Sequence, residues 1–178
     1  MIDAQPLPDG VRLCTSCGLC CTGALHDTAV LDEDEQVSAA ALGLPVLEAS
    51  DRPGFALPCP QLQGTRCGIY LDRPRVCGRY KCKVLLSVEE GRTALPDAFA
   101  MVHVARTLFG KVAAELGSGH ALPAARQQLF GAETSLPPTL RLYLLALTDY
   151  LDRHFRKPSE GRLLKSERVA NTTSGEIE

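Results

Sequence analysis

At 178 residues, with 45% apolar side chains, the chain is long enough for one domain with a real core, and most of it should fold. A net charge of −2 argues against a nucleic-acid protein defined by overall charge, and five Phe, four Tyr and no Trp leave little for a ring-lined pocket. No stretch has the apolar length needed to span a bilayer. Residues 1–11 carry neither the basic nor the apolar block of a secretory leader, so the expected setting is a reducing cytoplasm.

Taken in order, residues 1–13 read as a loosely held, Pro-containing lead-in, and residues 14–24 as a cysteine loop whose tight turns use Gly18 and Gly23. Ala29–Leu31 is a short apolar run suited to an extended strand. Asp32 is placed to cap a helix over 33–42, with acidic residues in its first turn and Gly43 at its end. Residues 43–66 are rich in Pro and Gly. Cys59 lies between Pro58 and Pro60, which stiffens an extended stretch around it. Residues 67–70 read as a short buried segment. A helix beginning near Asp72, with Pro74 in its first turn, would carry Cys77, with Cys82 at or just past its end. Residues 82–90 suit a continuing helix that stops at Gly91.

The second half is helical by pattern. Asp97 heads a run with apolar residues at 98, 101, 102, 105, 108, 109, 112, 113 and 116, the period of an amphipathic helix, and Gly117 closes it. A short helix is expected over 123–130, closed by Gly131. Ser135, Pro137 and Pro138 open a last helix with apolar positions 140, 144, 147, 151 and 155, stopped by Pro158. The polar residues 157–178 read as a disordered tail. The expected architecture is mainly α. It is a single domain over 10–156, in which a loop-rich cysteine lobe (10–90) packs against a helical part (95–156).

All eight cysteines, Cys14, Cys17, Cys20, Cys21, Cys59, Cys67, Cys77 and Cys82, fall in the first half, and four of them within residues 14–21. In an oxidising compartment they would form a disulfide scaffold. In a reducing one, clustered thiols hold metal. Two residues between cysteines let the backbone reverse around one ion, with sulfurs about 2.3 Å from it and nearby amides softening their charge. The spacing occurs twice in succession over Cys14, Cys17 and Cys20, so one loop offers three ligands to one centre. Cys21 points elsewhere and can serve a second site. Two chemistries compete. Zinc takes closed Cys₄ sites, two of which would use all eight thiols. A [4Fe–4S] cluster also takes four cysteines. The triple run, with Cys59 before Pro60, matches the bacterial ferredoxin signature in part, and differs from the Cys-x-x-x-Cys-x-x-Cys of radical enzymes that use S-adenosylmethionine.

Residues 14–21, Cys59-Pro60-Gln61-Leu62, Cys67-Gly68-Ile69-Tyr70, Arg73-Pro74-Arg75-Val76-Cys77 and Tyr80-Lys81-Cys82 together resemble the CxxCxxCC, or YkgJ-type, cysteine-cluster family. The resemblance covers residues 14–82 and implies zinc or iron chelation through the eight cysteines. A similar domain occurs in the much longer flagellin lysine N-methylases, where an iron–sulfur cluster is implicated. An iron–sulfur enzyme, redox or protein-modifying, is therefore the alternative to a structural or accessory metal protein. Such an enzyme would have a pocket beside Arg73 or Arg79 leading to the cluster.

Other groups have plainer readings. Arg66, Arg73, Arg75, Arg79, Lys81 and Lys83, against Asp72 alone, form a basic rim that suits an anionic partner. The same rim compensates the charge of a tetrathiolate site, and that reading is preferred. His26 reads as a surface histidine beside Asp27, with metal ligation as the alternative. His103 reads as structural, His120 as part of a Gly-Ser-Gly-His loop too short for a phosphate site, and His154 as a helix-end cation. Tyr70 and Tyr80 flank the site or pack its outside. No GxSxG, HExxH, GxGxxG or Walker loop is present, so no catalytic residue is assigned. The implied partners are a metal ion or cluster and an unidentified protein.

Overall fold

The computed structural model describes residues 7–47, 53–117, 122–129, 135–160 and 163. It is mainly α, with seven α-helices and two small sheets among the described residues. Chain order gives α1 (Asp9–Cys17), β1 (Thr28–Val30), a 3₁₀ turn (Glu33–Glu35), α2 (Gln36–Ala41), β2 (Val46–Leu47), β3 (Gly54–Ala56), β4 (Leu62–Gln63), β5 (Arg66–Cys67), α3 (Arg75–Arg79), α4 (Lys83–Glu89), α5 (Leu95–Leu116), α6 (Leu122–Leu129) and α7 (Pro138–His154).

The first difference from the sequence reading lies in α1. Residues 9–13, expected as a loose lead-in, are helical, and so are Cys14 and Cys17, expected in a loop. Leu13 and Cys17, four residues apart, share one helix face and are both buried. That face packs on α4 and α5, and burial overrides the weak helix signal of a Gly- and Cys-containing segment. Gly18 ends the helix in the left-handed conformation, with φ 68°.

The Asp32 cap is present as a full capping box. Its side chain takes the amide of Glu35, whose carboxylate returns to the Asp32 N–H. The first turn is 3₁₀, and the α-helix proper begins at Gln36. The apolar run after the cysteines pairs as β1 with β3, and β2 lines the other side of β3, all antiparallel. Phe55 at the centre of β3 is 1% exposed. It anchors a small cluster with Leu31, Ala39, Leu44 and Leu57.

The helix expected to carry Cys77 and the helical stretch expected over 82–90 are both present, as two separate helices and not one continuing run. The first ends at Arg79, Tyr80 is extended (φ −66°, ψ 124°), and α4 restarts after Cys82. Residues 67–70, expected to be buried, are half-buried or exposed. The α5 helix runs as its period requires: Ala98, Val102, Ala105 and Val112 are buried, and Gly117 ends it in the left-handed region. It packs along α7 through Leu140, Leu144, Leu147 and Leu151, with Phe155 at the end of the stripe. The large core therefore joins Leu13, Leu19 and Leu25 from the cysteine-bearing segment to α4, α5, α6 and α7. The closing Phe130 and Gly131 of the short helix, and His120, lie outside the described residues. So does most of the expected tail, although residues 158–160 form a 3₁₀ turn.

Candidate metal centre

Five segments bring the cysteines together. Cys14 and Cys17 lie on the last two turns of α1. After Gly18 the chain turns back, with the amides of Cys21 and Thr22 donating to the Gly18 carbonyl at 3.0 and 3.2 Å, which sets Cys20 and Cys21 in a compact loop. The Cys59 amide donates to the Cys21 carbonyl at 2.8 Å, fixing the proline-stiffened stretch beside that loop. The β4–β5 hairpin then carries Cys67, with Leu62 opposite it. This hairpin docks on the end of α1. The Thr65 hydroxyl donates to the Thr15 carbonyl at 2.9 Å, and the Thr65 backbone lies so close to Gly18 that a Cβ there would come within 3.0 Å of the Thr65 carbonyl oxygen. Cys77 comes from α3 and Cys82 from the start of α4.

All eight are free thiols, and all eight line one cavity of about 320 Å³. Among the described residues no three His, Cys, Asp or Glu side chains are drawn into a coordination geometry. The donor set nonetheless fits a thiophilic metal: eight sulfurs around one cavity is the complement of two four-cysteine centres. No other arrangement of the described histidines and carboxylates offers comparable ligands.

Burial pushes the thiols up. Cys17 and Cys21 rise to about 12, and Cys77 and Cys82 to about 11, with neighbouring cysteines adding to the desolvation. Backbone amides oppose this at three positions. The amide two residues on favours the thiolate of Cys17 (from Leu19) and of Cys59 (from Gln61), and at Cys82 the Leu85 amide leads, with Val84 adding. At Cys17 this is the charge-softening expected of the Cys-x-x-Cys spacing. A metal held by these thiols would displace their protons, and its binding would release them.

The basic rim is spent differently from the sequence expectation. Arg75 pairs with Asp32 at 3.0 Å and also with Asp34. Arg79 pairs with Asp32, Lys81 with Glu89 at 2.8 Å, and the Lys83 ammonium donates to the Arg153 carbonyl at 2.7 Å. Asp32 and Asp34 at the 3₁₀ turn and Glu89 of α4 thus pair with half of its six cations. Arg73 lines the cavity, stacks 3.8 Å over Tyr70, and opposes the rise that burial imposes on Cys14 and Cys77. The second cation facing the thiols is Arg106, which donates to the Cys17 carbonyl at 2.7 Å and closes the exposed C-terminal end of α1. No sequence signal marked it, because it sits 89 residues from its partner within an ordinary helical pattern.

His26, read as a surface residue, instead lines the cavity. Its ring meets Tyr80 edge-on at 4.8 Å. Among the described residues, His26 Nε2 and Tyr80 Oη are buried polar atoms without a hydrogen-bond partner. Burial, with Arg156 next, lowers the His26 pKa and keeps the ring neutral. Tyr80 is pushed well up, by burial and then by Cys20. His103, expected to be structural, is exposed on α5. His154 lies in the last turn of α7, against Tyr150 at 4.5 Å.

Residues 13–97 match the CxxCxxCC family, described as "Putative zinc- or iron-chelating domain". No curated protein and no solved structure matches the chain. No helix among the described residues is long and apolar enough to cross a membrane. The matched span covers just under half of the chain and contains all eight cysteines, so it is this part of the chain that is similar to the CxxCxxCC family.

Proposed function

We propose that this domain chelates zinc or iron through Cys14, Cys17, Cys20, Cys21, Cys59, Cys67, Cys77 and Cys82, and that the bound metal has a structural or accessory role. The observation that carries the reading is the convergence of eight free thiols from five separate segments on one cavity. The cluster under the three-stranded sheet has only five buried apolar residues among those described, with strands of two or three residues. A lobe so thin gains cohesion from metal–thiolate bonds, because metal-binding energy is folding energy when the unfolded chain has no site. A reducing compartment, the cytoplasm, suits free thiols.

An iron–sulfur enzyme is a second reading. It is favoured by one observation: His26 and Tyr80 line the thiol cavity with Arg73, and their Nε2 and Oη are buried without a hydrogen-bond partner. Elemental and acid-labile sulfide analysis with a visible spectrum, on one anaerobically purified sample, separates the readings. Colourless protein holding one or two zincs supports the structural role. Brown protein with iron and matching sulfide, bleached by dithionite, moves the assignment to an iron–sulfur centre. Protein free of zinc and iron overturns the chelation reading.

A further inference from the structure

We propose that the eight cysteines form two separate four-sulfur metal sites, one of Cys14, Cys17, Cys20 and Cys82, the other of Cys21, Cys59, Cys67 and Cys77. The inference rests on the chelation reading above and adds the ligand partition to it.

The backbone sorts the thiols. Cys14, Cys17, Cys20 and Cys82 all pack against the large helical core, on α1, its following turn and the start of α4. Cys59 and Cys77 pack instead against the small cluster around Phe55. Cys21 is bound to that second group through the Cys59 amide, at 2.8 Å. Cys67 reaches it through the β4–β5 hairpin. Its partner Leu62 donates its amide to the Cys59 carbonyl at 3.1 Å, and Gly68 donates to the Gln61 carbonyl at 2.7 Å. Two chain features separate the groups. Adjacent residues Cys20 and Cys21 fall on opposite sides of the division. The extended Tyr80 breaks the helix between Cys77 and Cys82 and places them on α3 and α4.

Four thiolates on a divalent ion carry net charge −2. Arg106, whose guanidinium donates to the Cys17 carbonyl at 2.7 Å, lies beside the first group, and Arg73 lines the cavity that the thiols share.

The test uses the full chain, purified anaerobically. Paired substitutions are compared by metal per chain. A pair within one group, Cys17→Ser with Cys82→Ser, should retain half of the wild-type metal, whereas a pair across groups, Cys17→Ser with Cys77→Ser, should retain none. Because either variant can fail to fold, the wild type is also stripped stepwise with a chelator, pulse-alkylated and mapped by mass spectrometry. The thiols should become reactive in two sets of four with the membership given above. Sets of different membership, or simultaneous release of all eight, overturn the partition while leaving chelation standing. Wild-type protein without metal overturns chelation itself.

Discussion

Replacing Arg126 by Met tests whether the helical part of the chain holds the cysteine-bearing segment in place. Arg126 on α6 is 7% exposed, and its guanidinium donates to the carbonyls of Ala24 at 2.8 Å and Gly23 at 2.9 Å, just beyond the cysteine turn. It also pairs with Asp27. Met preserves most of the aliphatic stem and removes the donors. Each buried carbonyl left without a donor costs about 1–3 kcal/mol, and Ala24 is 0% exposed. The Asp27 side chain is 53% exposed, so that ion pair contributes less than about 1 kcal/mol. The expected loss is roughly 3 kcal/mol, which for a chain of this size lowers Tm by roughly 6–12 °C. The assay is thermal unfolding of metal-loaded protein under anaerobic conditions, with Asp27→Asn as the comparison. A Met variant within about 1 kcal/mol of wild type, or an Asp27→Asn variant equally destabilised, would refute the claim that the two carbonyls carry the effect.

Phe155→Ala removes a 1%-exposed ring from the end of the α7 stripe and should cost about 3–5 kcal/mol, read as a fall in the urea midpoint; a loss under about 1 kcal/mol would show that α7 is not anchored there. Gly18→Ala must adopt φ 68° and press its Cβ against the Thr65 backbone at 3.0 Å, so it should cost about 2–3 kcal/mol. Gly64→Ala has the same kind of φ with nothing within 4 Å and should cost only about 1–2 kcal/mol, so equal melting temperatures for the two would remove the hairpin contact from the account. His26 has its folded pKa lowered below the ordinary 6.5, by burial and then Arg156, with Lys157 and Arg126 adding and Glu160 opposing. The unfolded chain then takes the proton first, so this contribution is intact above 6.5 and is lost as pH falls from there toward the folded value. His26→Gln should flatten the decline of Tm between pH 7.5 and 5.5, whereas parallel curves for variant and wild type would contradict the assignment.

Much of the fold was legible because its signals are local. The Asp32 cap, the Gly117 stop and the apolar periods of α5 and α7 depend on residues within a turn or two of one another. α1 was not legible, because what makes it a helix is the burial of Leu13 and Cys17 against α4 and α5, more than sixty residues on. The helix end before Cys82 was legible, but not the separate restart of α4 after it. The Lys83 amide is held by the Phe155 carbonyl at 2.8 Å, which starts α4 there.

The cysteine list came from spacing, since Cys-x-x-Cys advertises its chemistry in sequence. Its surroundings did not. His26 looked like a surface residue beside Asp27, yet the turn after Gly23 carries it inward against Tyr80, fifty-four residues away. The basic rim looked like charge compensation for thiolates. The fold gives Arg75 and Arg79 to the acidic turn that begins at Asp32, and leaves Arg73 and the distant Arg106 facing the sulfurs. Pairings across that many residues are set by tertiary packing and leave no short-range pattern.

The most direct measurement is native mass spectrometry of the full chain, purified without oxygen, against its mass after acid denaturation and chelation. Metal-loaded protein should show a native mass above that of the bare chain by its zinc or iron–sulfur complement. All eight cysteines should become alkylatable, without reductant, only after the metal is removed. A native mass equal to that of the bare chain, or one lighter by about 8 Da as four disulfides would give, would contradict the chelation reading.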